Sequence, residues 1–490
     1  MNSKSHISEL FRQTVIYGLG IMLNKSVGFL LIPLYTKYFP PEQIGLFTLV
    51  QSLSLFLGVV YMFGMETSFM KFFIDEKGEK DKAEVYSSTL IFLFIVAAAL
   101  SSFIYIYSGS IAELFKFSPV DESSFLVQIL SLMMLIDTLY RFPLLLFRAK
   151  LESKTYALIN LFTFFINIIS NVVFIVILKY GVESIFYSYI LSSGITLLAG
   201  LILTRNYLTV RISLSKIREM LGFGSKFIFI GFFVLFIDVS DRFFLKYYFD
   251  EFTVGVYSAN YRLASVMSFL IASFKFSWTP YFLNLKTNPE NKKIISSIFT
   301  NFILAGLTLF LIFSLFTELL VKIPFFGIEF LNFNYWDGLK IIPVILLAYF
   351  FSGAYSTLNA APFFTDNTGA IFFITLSGVI VNVLFNFLLI PLLNITGAAL
   401  ATLFTYMVMF VIVYYYSQKI YRVKHDIQRI LKIGLITAVF FIVGYYFIND
   451  LEILTGYKIL INLFVIGAFI FTLKVLNLLD LSKLKLLWKK

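Results

Sequence analysis

Apolar runs of nearly uniform length, parted by short polar breaks, make up most of the chain. Crossing ~30 Å of hydrocarbon at ~1.5 Å per residue takes ~20 residues of helix. Runs of that order occur at 13–36, 44–71, 85–107, 124–147, 156–178, 184–204, 225–247, 254–282, 294–318, 339–361, 370–391, 396–417, 430–448 and 454–474. The pattern predicts an all-α integral membrane protein with fourteen transmembrane helices. None of the breaks is long enough for a soluble domain. The mixed-charge run DEKGEKDKAE (75–84) reads as a solvated turn.

An even number of spans returns both ends to one side, and the basic residues say which. Loops on the side of the termini hold twenty-four lysines and arginines, among them Lys80, Arg148, Arg211, Lys293 and Arg422; the opposite loops hold six. Because basic loops stay in the cytoplasm, both termini are expected there. The first twelve residues form a polar lead-in without a cleavage site for a signal peptidase.

The polar positions inside the apolar runs repeat. NIISNVVFIVILKYGV (167–182) is echoed by NVLFNFLLIPLLNITGA (382–398), so that Asn167 and Asn382 stand 215 residues apart, as do Asn171 and Asn386. Gly181 and Gly397 keep nearly the same offset, and GLFTLVQSLS (45–54) has a weaker partner in GVYSANYRLA (255–264). Apolar similarity arises easily by chance, but paired Asn and Gly at a constant offset argue for duplication. The predicted organisation is a lead-in (1–12), a six-helix lobe (13–206), a basic linker (207–224), a second six-helix lobe (225–418), and two added helices with a basic tail (419–490). Six is even, so the copies run in the same direction, an arrangement that places a cavity between the two halves of a transporter. Asparagines four apart share one helix face, and in hydrocarbon they are tolerated when they bond across helices. Asn167, Asn171, Asn382 and Asn386 are therefore read as packing glue.

Composition narrows the chemistry. Only 14% of the residues are charged and mean hydropathy is +0.88, far from a soluble chain. The absence of cysteine excludes disulfides, thiolate metal sites and cysteine nucleophiles. The two histidines, His6 and His425, lie in polar segments, so a membrane-embedded histidine relay is excluded. No phosphate-cradling Gly-rich loop and no H-E-x-x-H occurs, so neither ATP hydrolysis nor an enzyme activity is expected. The net charge of +11 bears on orientation and lipid contact rather than on nucleic acid.

Ionisable side chains within the spans are few: Lys25, Glu66, Asp137, Arg141, Asp238, Asp241, Arg242, Arg262 and Lys275 stand out. Such residues usually face a bundle interior or a wet cavity. Asp137 with Arg141, and Asp238 with Arg242, are acid-then-base at i, i+4, the favourable order on a helix. These pairs read equally as helix locks and as cavity lining. Lys25 and Arg262 have no neighbouring acid in sequence and read as cavity cations; Lys275 reads either so or as a snorkelling lysine. Cations along a pathway suit a phosphate-bearing or otherwise anionic cargo.

The residues that carry these features match a known pattern. The stretches IYGLGIMLNKSVGFLLIPLYTKYFPPEQIGLFTL (16–49) and DVSDRFFLKYYFDEFTVGVYSANYRLA (238–264), and the N-x-x-x-N…P-x-x-x-x-x-G-A-A segment at 382–399, resemble the polysaccharide transport branch of the multidrug/oligosaccharidyl-lipid/polysaccharide flippase superfamily, which includes Wzx-type O-antigen flippases. The resemblance implies a lipid-linked oligosaccharide on undecaprenyl pyrophosphate, moved from the cytoplasmic to the periplasmic leaflet of the bacterial inner membrane by two rocking lobes. It implies no cofactor beyond Na+ or H+ as coupling ion, and a polysaccharide polymerase and chain-length regulator as partners. Carried onto this chain, Lys25, Arg141, Arg262 and Lys275 would meet the anionic cargo. Glu66, Asp137, Asp238, Asp241 and Arg242 would serve coupling or gating. A multidrug antiporter and a lipid II flippase share the fold, although antiporters usually have twelve helices. A membrane polymerase or ligase is disfavoured because the 319–338 loop lacks arginine.

Overall fold

The computed structural model describes residues 26–285, 289–325, 328–365, 369–449, 451 and 453–479. The lead-in, the start of the first span and Lys25 lie outside the described residues. The rest is helix almost throughout: α1 (Ile32–Tyr38), α2 (Pro41–Met62), α3 (Met65–Asp75), α4 (Glu79–Ile106), α5 (Ser108–Leu114), α6 (Val120–Ala149), α7 (Ser153–Val172), α8 (Ser184–Leu203), α9 (Leu214–Tyr248), α10 (Glu251–Ala264), α11 (Val266–Leu285), α12 (Asn291–Val321), α13 (Ile342–Leu358), α14 (Ala360–Phe364), α15 (Gly369–Ile420), α16 (Ile427–Phe441) and α17 (Thr455–Val475). Among the described residues the only strands form a two-residue antiparallel pairing of Pro324–Phe325 with Ile328–Glu329 in the 319–338 loop.

Among the described residues, ten helical stretches are long and apolar enough to cross a membrane. One of them, α15, contains two of the expected spans joined across a kink at Asn394. Expected spans 225–247 and 254–282 are helical as well, the first within α9 and the second broken between α10 and α11. The ten stretches among the described residues do not fix the number at fourteen.

Local chemistry explains the breaks. Pro40 and Pro41 open α2, where a fixed φ and a missing N–H cost nothing, and Glu42 lies favourably in its first turn. Phe63 and Gly64 both take positive φ (45° and 70°) and split the expected 44–71 span into α2 and α3. The expected linker 207–224 is only partly a linker. From Leu214 it is already α9, capped by Ser213, whose Oγ accepts from the Lys216 amide.

Two compact units emerge from the contacts: residues 1–259 with 386–398, and 260–385 with 399–490. This division departs from the 206/225 boundary read in the sequence because α9 packs on α2, α3 and α4. The contact with α3 is close: a methyl group on Gly64 would strike the Gly224 carbonyl, and one on Gly224 the Gly64 carbonyl, while Ser68 Oγ donates to the Met220 carbonyl at 2.7 Å. Around it lies the first unit's core of Met65, Phe69, Tyr86, Phe142 and Met220, with Phe69 and Phe142 edge to face at 5.6 Å. The second unit has its own apolar cluster, including Trp278, Phe282, Ile295, Phe364 and Val423. Its added helices dock through polar groups: Asn462 Nδ2 on α17 donates to Asn449 Oδ1 at 2.8 Å and to the Leu315 carbonyl of α12 at 3.4 Å.

The sequence echo has a backbone counterpart. Lys179 (φ 55°) and Asn394 (φ 52°) both turn the chain through the left-handed region, and they too stand 215 residues apart. More telling is the echo at 45 and 255. A methyl on Gly45 would collide with the Glu251 carbonyl, and one on Gly255 with the Pro41 carbonyl; each would also sit 3.0 Å from the other glycine's amide nitrogen. The contact is reciprocal, four residues back on each side. The two helices that carry this echo therefore meet backbone to backbone at the echoed glycines.

Candidate functional site

The charged groups inside the helices gather in the first unit into two sets, each built from an aspartate, an arginine and a tyrosine. Helix α6 supplies Asp137 and Arg141 one turn apart, and α8 supplies Tyr189. The two helices come close where Pro143 faces Gly200, a position at which any Cβ would lie 2.6 Å from the proline ring. Asp137 is buried, takes the Tyr189 hydroxyl as donor, and pairs through Oδ2 with Arg141 at 2.7 Å. The expected i, i+4 pair is thus formed, but the partners differ in exposure: the Arg141 side chain is 43% exposed and Asp137 only 8%. Further along, Arg148 Nη1 reaches Glu66 Oε1 only at 4.0 Å, both half-exposed.

The second set lies on α9 and α10. Arg242 Nη1 meets Asp241 Oδ1 at 2.8 Å and also donates to the Asp238 carbonyl at 2.7 Å, while the Tyr257 hydroxyl donates to Asp241 Oδ2 at 2.5 Å. Here the arginine meets the carboxylate next to it in sequence, and both side chains are buried, at 9% and 0% exposure. A few residues on, the buried Glu251 holds Lys246 at 2.6 Å and accepts the Ser118 amide at 2.8 Å.

The remaining predicted residues are spread out. Arg262 on α10 is half-buried in the second unit, as is Lys275 on α11, whose Nζ donates to Ser352 Oγ at 3.3 Å. In the first copy the asparagines form a chain: Tyr35 donates to Asn171 Oδ1 at 2.9 Å, Asn171 Nδ2 to Asn167 Oδ1 at 3.0 Å, and Asn167 Nδ2 to Ser192 Oγ at 3.1 Å. In the second, Asn382 Nδ2 donates to Thr405 Oγ1 at 3.3 Å. In both, the first asparagine bonds a hydroxyl on the following stretch of helix; Asn386 is fully buried. Tyr189, Tyr257 and the Lys246–Glu251 pair were not legible beforehand, because a tyrosine in a chain with twenty-nine of them carries no distinguishing spacing. Among the described residues no three His, Asp or Glu gather to hold a metal. His425, in the loop before α16, packs against Phe299 at 4.7 Å, and burial pushes its pKa down to about 4.

Residues 10–286 match the family of polysaccharide biosynthesis proteins. The chain belongs to that family. In fold it is similar to a lipid II flippase, MurJ, in an inward closed conformation, with a TM-score of 0.74, 16% identity, and 97% of this chain and 100% of that one covered. It is also similar to an inward-facing multidrug resistance MATE family transporter of the MOP superfamily (TM-score 0.66, 13% identity, 85% and 99% covered) and to an outward-facing one (0.60, 16%, 86% and 96%). No curated protein sequence matches the chain. The protein is a multi-pass membrane protein with the fold of flippases and transporters.

Proposed function

We propose that the protein is a flippase for an undecaprenyl-pyrophosphate-linked oligosaccharide, carrying repeat units of a surface polysaccharide such as O-antigen across the inner membrane by alternating access, with both termini cytoplasmic. The family supplies the metabolic context, and the observation that supports the cargo class is Arg141: a cation within an apolar span, half-exposed, paired at 2.7 Å with the buried carboxylate of Asp137. An anionic head group needs such a cation, whereas a cationic drug would be repelled by it. Coupling to a Na+ or H+ gradient, with Asp241 or Glu66 as the responding carboxylate, and work beside a polymerase and chain-length regulator, complete the reading.

A lipid II flippase is the second reading, favoured by the greater coverage of this chain by the MurJ fold (97%) than by the MATE structures (85% and 86%). Deleting the gene and extracting lipid-linked glycans separates the two. Accumulated undecaprenyl-pyrophosphate repeat units with loss of surface glycan supports the first. Accumulated lipid II moves the protein to the second. Unchanged glycans with new sensitivity to cationic drugs overturns both.

A further inference from the structure

The first unit contains the same three side chains twice, assembled to opposite ends. In Tyr257–Asp241–Arg242 the arginine is buried with its carboxylate and spends a second donor on the Asp238 carbonyl. In Tyr189–Asp137–Arg141 the carboxylate is just as fully engaged, by the tyrosine hydroxyl on one oxygen and the guanidinium on the other, yet the arginine side chain stays 43% exposed.

Exposure at that depth has a direct meaning. Residues 142–147, all apolar, separate Arg141 from Arg148 near the end of α6. An arginine escaping lipid would snorkel toward that end. Arg141 does the reverse: its Nη2 reaches back 2.7 Å from Asp137, one turn nearer the N-terminus of α6 and further from that end. Side chains on a helix lean that way, and the ion pair holds this one there. A guanidinium drawn inward yet half-exposed is one that a wet cavity would accommodate and hydrocarbon would not. Five N–H donors in a planar fork leave a face suited to two oxygens of a phosphate.

Resting on the flippase reading above, we infer that Tyr189 and Asp137 are a mooring that fixes Arg141 as a docking point for the phosphate of the cargo's pyrophosphate. Asp137 removes the arginine's freedom and sets its direction. Tyr189 satisfies the second carboxylate oxygen, which keeps Asp137 buried and in one rotamer. Tyr189 is thus a positioning residue that never touches the cargo.

The test is binding by the purified full-length protein in nanodiscs, with undecaprenyl pyrophosphate and undecaprenol as the two probes and inorganic pyrophosphate as competitor. Arg141→Gln is expected to weaken undecaprenyl pyrophosphate binding at least about tenfold and leave undecaprenol binding unchanged. Tyr189→Phe, which deletes one oxygen, is expected to give a loss of roughly three- to tenfold for the same probe, and Arg141→Lys, which keeps charge but not the fork, a similar one. The sister set predicts the contrary: Arg242→Gln lowers thermal stability while leaving the ratio of the two affinities intact. Equal affinity of the wild type and Arg141→Gln for undecaprenyl pyrophosphate, or loss of undecaprenol binding in step with it, overturns the docking role. Full affinity in Tyr189→Phe overturns the mooring. A wild-type protein that prefers neither probe overturns instead the flippase reading on which the inference rests.

Discussion

Replacing Gly45 and Gly255 by alanine, singly and together, tests the reciprocal helix contact quantitatively. Each new methyl would overlap a carbonyl four residues before the other glycine and sit 3.0 Å from the other's amide, well inside van der Waals contact. Backbone cannot rotate away as a side chain can, so the two helices must separate by more than an ångström at the crossing. Overpacking of this kind costs about 1–3 kcal/mol. We expect each single substitution to destabilise by about 2 kcal/mol, from the overpacking range. Once one methyl has pushed the helices apart, however, the second meets less resistance. The double variant should therefore lose well under the sum of the singles, with a coupling of about 1 kcal/mol or more, as touching sites show. The assay is reversible unfolding in mixed detergent micelles, run as a double-mutant cycle. Strict additivity would refute the reciprocal contact, because it would mean that the two glycines do not report on the same gap. Single variants as stable as wild type would refute it more simply.

Three further outcomes follow from particular contacts. Asn167→Ala breaks a bond to Ser192 and removes an acceptor of Asn171; at about 0.6–2 kcal/mol per interhelical bond, it should lower stability by roughly that amount in the same unfolding assay. Asn462→Leu should loosen α17 from α12 and Asn449 by about 1 kcal/mol, read as earlier proteolysis of the C-terminal helices with the rest of the chain intact. His425 titrates near 4 when folded and near 6.5 when unfolded, so the unfolded chain binds its proton first. Stability should be complete above pH 6.5 and fall as pH drops from 6.5 toward 4, and His425→Phe should flatten that part of a Tm-against-pH curve.

The chain alone determined that this is a membrane protein, and nearly where its helices run, because burial in hydrocarbon makes length and apolarity a local property of ~20 residues. It also carries the echo on which the expected duplication rests, since the offsets of Asn167 to Asn382 and of Gly45 to Gly255 are read in one dimension. Local sequence even chose the ion pair of Asp137 and Arg141, which one helical turn enforces. It did not choose between Asp238 and Asp241 for Arg242, because a guanidinium at the end of three methylenes reaches either and packing around it decides. Nor did it reveal Tyr189 or Tyr257, which come to their aspartates from other helices, 52 and 16 residues away. The division between units was likewise hidden: the contact of Gly224 with Gly64 draws α9 to the helices before it, and a glycine's value lies wholly in what faces it. Above all, two sets with the same chemistry differ in the exposure of one arginine. Exposure is a relation among several helices at once, so only the tertiary structure could leave Arg141 half-exposed and Arg242 buried.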